Sequence, residues 1–309
     1  MHCSEAQKMK QRPTTEILAA INGDSFSAQA RKKALAKAIL ELRPLAYLID
    51  LGKPIPAYRR LLTHLLPSWV KNRGVYSSFE EARARAPKNI PLGYDHDVIA
   101  FAYQNQRFLA SDYPAAFWLR EALRGGPTVF DLGGSVGTSF YNWENYFEYP
   151  RDVQWVICEL PSVVKAGEQL AQEKRENRLR FTLRFEEADG ANCLIASGCL
   201  HYMETSIADL LRGLPRPPKH LVLNRLPLHS RYECVTLQNI RWTVSPYRIF
   251  QRDRFIGELE ALGYFVVDAW AVNDHSCWIP FYPEHSVESY TGLYLRRAES
   301  KVGGLSRPF

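Results

Sequence analysis

A chain of 309 residues can form one large domain, or one domain plus a smaller extension. Its 46% hydrophobic and 23% charged residues exclude a disordered or fibrous chain. No apolar run reaches the ~18 residues that a membrane span needs. The net charge of +6 is partly local, at Arg31, Lys32, Lys33 and Lys37, and reads as a solvated helix face rather than a nucleic-acid surface.

None of the six cysteines forms a Cys-x-x-Cys pair, so no metal centre is expected, and Cys158 and Cys193 read as small core residues. The first residues, Met1-His2-Cys3-Ser4-Glu5-Ala6-Gln7-Lys8, lack an apolar signal core, which makes the cytoplasm the expected location.

In chain order, residues 1–26 are polar and weakly patterned. Leu35, Ala38, Ile39, Leu42, Leu45 and Ala46 then recur at helical spacing, and 58–66 reads as a further short helix closed by Pro67. Residues 1–68 are therefore expected to form a helical extension. Residues 69–126 also read as helical, with Ser77 or Ser78 capping a helix, a turn at Gly93-Tyr94-Asp95, and helices over 98–107 and 114–123. Gly125-Gly126-Pro127 stops the last of these.

From 127 to 309 strands and helices alternate. Strands are expected at 128–132, 154–158, 180–183, 192–197, 220–224, 264–269 and 290–296, with helices at 141–149, 163–174, 206–211 and 253–262. The alternation predicts βαβ units and a mainly parallel sheet. The Pro-containing stretch between the last two strands leaves no room for a long crossover helix, so the last strand can return antiparallel.

Three stretches carry chemistry. In Asp131-Leu132-Gly133-Gly134-Ser135-Val136-Gly137 a strand meets a Gly-rich turn and a helix start, the arrangement that brings backbone N–H groups close to a nucleotide-like ligand. The strand 154–158 ends in Glu159, 22 positions after Gly137. That matches the spacing of about 20 at which an acid accepts hydrogen bonds from ribose hydroxyls; the competing role is a cap for the helix beginning near Ser162. The third stretch, Ser197-Gly198-Cys199-Leu200-His201-Tyr202, offers a flat backbone floor followed by two polar rings, either of which could orient a substrate or simply pack.

With these pieces in order, the chain resembles a class I S-adenosylmethionine-dependent methyltransferase. More closely, it resembles a family of bacterial methyltransferases encoded near polysaccharide and secondary-metabolite genes. The resemblance spans about residues 69 to 298. It runs through Gly74-Val75-Tyr76-Ser77-Ser78-Phe79-Glu80-Glu81-Ala82, Gly93-Tyr94-Asp95, the Asp131–Gly137 turn, Trp155-Val156-Ile157-Cys158-Glu159 and Ala196-Ser197-Gly198-Cys199-Leu200-His201-Tyr202. It continues through Asn224-Arg225-Leu226-Pro227-Leu228, Val235-Thr236-Leu237-Gln238-Asn239-Ile240, Gly263-Tyr264 and Gly292-Leu293-Tyr294-Leu295-Arg296-Arg297.

The resemblance implies an α/β fold with a Rossmann-like, mainly parallel sheet whose last strand is antiparallel. It also implies an N-terminal helical extension (1–68), a helical cover segment (69–126) and the catalytic domain (127–309). S-adenosylmethionine would lie on Asp131, Gly133, Gly134, Ser135, Gly137, Glu159, Ser197 and Gly198. The acceptor would be a small molecule or glycan precursor in biosynthesis, methylated on oxygen. By position at strand ends, His201 and His229 are the candidate bases, with His275 and His285 in the Pro-containing stretch before the last strand as weaker ones. No nucleic acid, metal or membrane span enters, and a homodimer is allowed for. Three positions depart from the family: Ser135 where a second glycine is usual, Asn224 where an acid is common, and His201 where Gln is common. Two alternatives stand beside this reading. One is a non-catalytic protein that keeps the fold as a binding module. The other is a nicotinamide-dependent oxidoreductase, whose Gly-x-Gly-x-x-Gly turn Gly133-Gly134-Ser135-Val136-Gly137 does not match.

Overall fold

Alternating burial organises the centre of the protein. In the computed structural model, which describes residues 70–95, 108–240 and 243–298, Thr128–Leu132 is strand β2. Phe130 and Leu132 face one apolar layer and Val129 the other. Gln154–Cys158 (β3), Leu179–Thr182 (β4), Cys193–Ser197 (β5) and His220–Leu226 (β6) join it in parallel. Tyr264–Val272 (β10) and Tyr290–Arg297 (β11) complete the sheet.

The order is β10-β11-β6-β5-β2-β3-β4, and β11 runs antiparallel to both its neighbours. The fold class is therefore the expected mixed α/β sheet with its last strand reversed. Strand order reverses direction between β2 and β5. In such sheets the ligand crevice lies at the carboxyl ends of the strands flanking that point.

Helices cover both faces. Asp112–Leu123 (α2) packs over β6 and β11, stacking Trp118 on Tyr294 with ring centroids 4.2 Å apart. Thr138–Trp143 (α3), Pro161–Lys174 (α4), Ile207–Arg212 (α5) and Arg252–Glu260 (α6) follow β2, β3, β5 and the second sheet. Each boundary has a local cause. Gly137, at φ +97°, turns the chain into α3 three residues earlier than expected, and the Asn145 amide caps the Tyr141 and Asn142 carbonyls at its end. Pro161 occupies the first turn of α4, where its missing N–H costs nothing.

The segment 69–126, expected to be helical apart from a turn, also contains a strand. Asn72–Tyr76 forms β1, followed by the helix Phe79–Arg85 (α1). Ser78 caps α1 by accepting from the Glu81 N–H, and the Glu81 carboxylate reaches back to the Ser77 N–H. Strand β1 belongs to a second, four-stranded sheet of order β1-β8-β9-β7, with Leu228–His229 as β7, Cys234–Asn239 as β8 and Val244–Gln251 as β9. This sheet was not expected. Pro246 inside β9 argues against a strand when read locally, since it cannot donate to a ladder. The expected extension over 1–68 and the helix over 98–107 lie outside the described residues. Among the described residues, no helix is long and apolar enough to cross a membrane.

Candidate active site

The three stretches singled out above meet at the carboxyl edge of β3, β2 and β5. The turn after β2 has Gly133 at φ +67°, Ser135 at φ +56° and Gly137 at φ +97°. Serine therefore adopts the left-handed backbone that a glycine would take at no cost. The turn is tied to both neighbours. The Gly133 N–H donates to the Cys158 carbonyl (2.9 Å), and the Cys199 thiol lies 3.0 Å from the Leu132 carbonyl.

The two first glycines are demanded by packing. A Cβ on Gly133 would fall 2.4 Å from the Cys199 Cβ, and one on Gly134 would fall 2.5 Å from the Asp131 carboxyl. A side chain at 133 thus displaces Cys199 and the end of β5. A side chain at 134 collides with Asp131. Asp131 itself lies beneath the turn, 1% exposed. One of its oxygens accepts from the Trp155 indole N–H at 3.2 Å, while Oδ1 is buried without a partner. Burial pushes its carboxyl up to about 7.

Glu159 closes the turn from the other side. Its Oε1 accepts the Ser135 N–H at 3.0 Å and its Oε2 accepts the Leu160 N–H at 2.9 Å. Burial raises its pKa, and these two N–H groups offset only part of that rise. Each carboxylate oxygen retains a second lone pair for a further donor. The Ser135 and Ser162 hydroxyls beside it are buried without partners. Asp95, from the Gly93-Tyr94-Asp95 turn, accepts the Ser162 N–H at the start of α4 (3.2 Å), and Gly93 donates to the Val244 carbonyl of β9. This turn runs from the second sheet to the Glu159 corner. A glycine-bounded tripeptide carried no sign of that path.

On the other flank, Ser197 and Gly198 (φ +83°) end β5. The Asn224 amide of β6 donates to the Ser197 Oγ (3.4 Å), to the Ser111 carbonyl (3.2 Å) and to Asp112 (3.3 Å). The Arg225 guanidinium reaches both Asp112 oxygens at 2.8 Å. The Trp270 indole donates to the Asn224 carbonyl oxygen at 3.1 Å. The Ser111 N–H donates to Asp274, whose other oxygen lies 2.7 Å from His275 Nδ1. Asp112 and Asp274 were not among the expected site residues, and His275 stood only as a weaker candidate base. They come from a helix start and a loop distant in sequence, and only their neighbours Asn224 and Arg225 stood in a recognisable motif.

The two expected histidines sit in contrasting places. His201 is 4% exposed, among the rings of Tyr202, Tyr247 and Tyr290, with Nδ1 unpartnered. Desolvation lowers its pKa to about 3, so it is neutral across the physiological range. His229 lies in β7, where its Nδ1 accepts the Arg231 and Tyr232 N–H groups at 3.0 and 2.9 Å. That nitrogen is engaged in a turn. His229 borders Tyr232 and His285, whereas His201 borders His275.

No family model matches the chain, and no curated protein matches it. Solved structures share part of its architecture at low identity. The 1,6-didemethyltoxoflavin-N1-methyltransferase of Burkholderia thailandensis, solved with S-adenosylhomocysteine, is 22% identical over 62% of this chain and 79% of that one, with a TM-score of 0.42. The CcbJ methyltransferase of Streptomyces caelestis is 14% identical over 67% and 98%, with a TM-score of 0.43. The magnesium protoporphyrin IX methyltransferase of Synechocystis PCC 6803 is 15% identical over 65% and 82%, with a TM-score of 0.42. At these values no residue role passes from them to this chain.

Proposed function

We propose that the protein is an S-adenosylmethionine-dependent methyltransferase that acts on a small molecule or glycan precursor and methylates oxygen. The observation that carries this reading is the meeting, at the strand-order reversal, of a left-handed glycine turn, a carboxylate with spare acceptor capacity and the Ser197-Gly198 floor. The residues fit the cofactor. Glu159 would take the ribose hydroxyls, Ser135 and Ser162 have buried hydroxyls free to bond, and Gly133, Gly134 and Gly137 let the backbone approach. When bound, the cofactor supplies an electrophilic methyl group on a sulfonium. The chain's own part is to align two reactants and exclude water. The Gly93-Tyr94-Asp95 turn and the start of α2 serve as cover, with 69–126 as the cover segment and 1–68 as an extension. The protein then works in the cytoplasm, as a monomer or homodimer.

Of the histidines near the crevice, His275 suits the proton-accepting role best. Asp274 fixes its Nδ1, the Ser111 N–H fixes Asp274, and no bond among the described residues engages its Nε2. The Asp274 carboxylate would stabilise the imidazolium formed when the acceptor hydroxyl gives up its proton. His201 lies beside it as a neutral ring. The test is incorporation of labelled methyl from S-adenosylmethionine into a panel of hydroxylated sugars and phenols. Label in an ether-linked product is expected. His275→Ala should lower that turnover about a hundredfold or more while leaving cofactor affinity unchanged. Equal turnover in the variant from pH 6 to 9 would remove His275 from the chemistry.

A further inference from the structure

The second sheet stands over the carboxyl edge of the first. Strand β6 runs into β7 through Pro227. Val272 at the end of β10 and Tyr290 at the start of β11 share an apolar cluster with Cys234, Tyr247 and Ile249 of the second sheet. Strand register assigns the side chains of β8 and β9 to two faces. On the outer face Val235, Leu237 and Val244 pack with Phe79 of α1. The inner face carries the opposed pairs Cys234–Ile249, Thr236–Tyr247 and Gln238–Ser245, and β1 adds Asn72 opposite Gln238. This face is apolar at one end and polar at the other.

The polar end is buried without being satisfied. The Thr236 hydroxyl and Asn72 Oδ1, on residues 0% and 3% exposed, have no partner. Neither has Nδ1 of His201, whose ring lies 4.2 Å from that of Tyr247. Tyr94 and Tyr202 close over this end. Their ring centroids are 4.4 Å apart, and both hydroxyls donate to Gln238 Oε1, at 3.2 and 2.6 Å. Buried polar atoms are nearly always paired, and one left unpaired costs free energy that a ligand bonding to it recovers. The inner-face positions include no Lys, Arg, Asp or Glu, and desolvation keeps His201 neutral.

We propose that the acceptor binds on this inner face, with Asn72, Thr236, Gln238 and His201 as its hydrogen-bonding partners, and that the part held there is an uncharged sugar ring. This rests on the methyltransferase reading above and names the acceptor class for it. The placement follows from two connections. His201 and Tyr202 continue directly from the Ser197-Gly198 floor, and Asp95, next to Tyr94, reaches Ser162 at the Glu159 corner. The class follows from the chemistry of the row. Its groups are neutral and mix acceptors with hydroxyls, which a ring bearing several hydroxyls can pair at once. A carboxylate or phosphate would lose its water there without gaining a cation. A flat phenol brings too few hydroxyls to pair the row. Entry moves Tyr94 and Tyr202 off Gln238, which frees Oε1 for the ligand.

The test is calorimetric titration of the full chain, loaded with S-adenosylhomocysteine, with glucose, rhamnose and N-acetylglucosamine. Glucuronate, glucose 6-phosphate and catechol are titrated beside them. At least one neutral sugar should bind saturably at millimolar concentration, and the charged sugars and catechol should bind about tenfold more weakly or not at all. Thr236→Val keeps the shape of the side chain and removes an unpaired hydroxyl. It should weaken the sugar about tenfold and leave S-adenosylhomocysteine affinity unchanged, with a melting temperature equal to the parent's or higher. A hydroxyl with a purely structural role would leave sugar affinity where it was. Absence of binding by every neutral sugar, equal or tighter binding of a charged sugar or catechol, or undiminished sugar affinity in the variant overturns the proposal. Any of these with S-adenosylhomocysteine bound sinks this inference alone. Failure of S-adenosylhomocysteine to bind sinks the methyltransferase reading with it.

Discussion

Arg225→Ala is expected to destabilise the fold by about 3 kcal/mol, because it leaves a buried carboxylate without its cation. Asp112 and Arg225 are 8% and 14% exposed at their side chains, and one guanidinium nitrogen reaches both Asp112 oxygens at 2.8 Å. The Leu109 N–H, at 2.9 Å, and the Asn224 amide soften the loss without replacing the charge. Burial already raises the Asp112 pKa, and Arg225 is the group that lowers it most. Its folded pKa should climb further in the variant. The destabilisation is therefore full at neutral pH and shrinks as pH falls far enough for Asp112 to protonate. Arg225 also holds φ +60°, a left-handed backbone that costs roughly 1–2 kcal/mol for a residue with a side chain. Arg225→Gly should accordingly be milder than Arg225→Ala. Urea unfolding of the two variants at pH 5 and pH 8 checks both statements; equal losses at the two pH values would show that the ion pair is not the cause.

Glu159→Ala should weaken S-adenosylhomocysteine binding by tenfold to a hundredfold, about 1.4–2.8 kcal/mol. Two effects combine. The variant removes the acceptor proposed for the ribose hydroxyls, a charge-assisted bond of about 1.5–3 kcal/mol. It also frees the Ser135 N–H, so a turn already paying for serine at φ +56° loses its tie to β3. Glu159→Gln keeps an acceptor for one N–H and should fall between parent and Ala variant in both affinity and melting temperature. A purely structural Glu159 would lower the melting temperature in both variants with ligand affinity intact.

What could be read from the chain followed the range of the interactions involved. Strands β2 and β3 were legible to the residue because both are short, mostly apolar runs that end at a break, Gly133-Gly134 after β2 and Glu159-Leu160-Pro161 after β3. The glycine turn and Glu159 were legible because both lie in one βαβ unit, where sequence spacing sets spatial spacing. The second sheet was not. It pairs β1 with β8 across more than 150 positions, through Asn72 and Gln238. Its ladder includes Pro246, which breaks a local pattern. Segment 69–126 carries helix signals around one turn and none for a strand, because Ser78 and its acids announce α1 while the five residues of β1 have no comparable mark.

In the candidate site, the corner where the glycine turn meets Glu159 was legible and the cluster around Asp112 on the other flank was not. His201 and His229 were chosen for their position after strands. The aromatic cage around one and the backbone bonds to the other depend on residues from β9, β11 and the 230–232 turn. The Asp112, Asn224, Arg225, Asp274 and His275 cluster joins α2, β6 and a loop near the end of the chain, and spacing along the chain does not encode it.

The central claim is that the crevice at the strand-order reversal holds S-adenosylmethionine. Calorimetric titration of the intact chain with S-adenosylhomocysteine, run beside an identical titration with NAD, tests it most directly. The account predicts saturable one-to-one binding of S-adenosylhomocysteine and no heat of binding from NAD. Saturable binding of NAD, or no binding of S-adenosylhomocysteine at millimolar concentration, would contradict it.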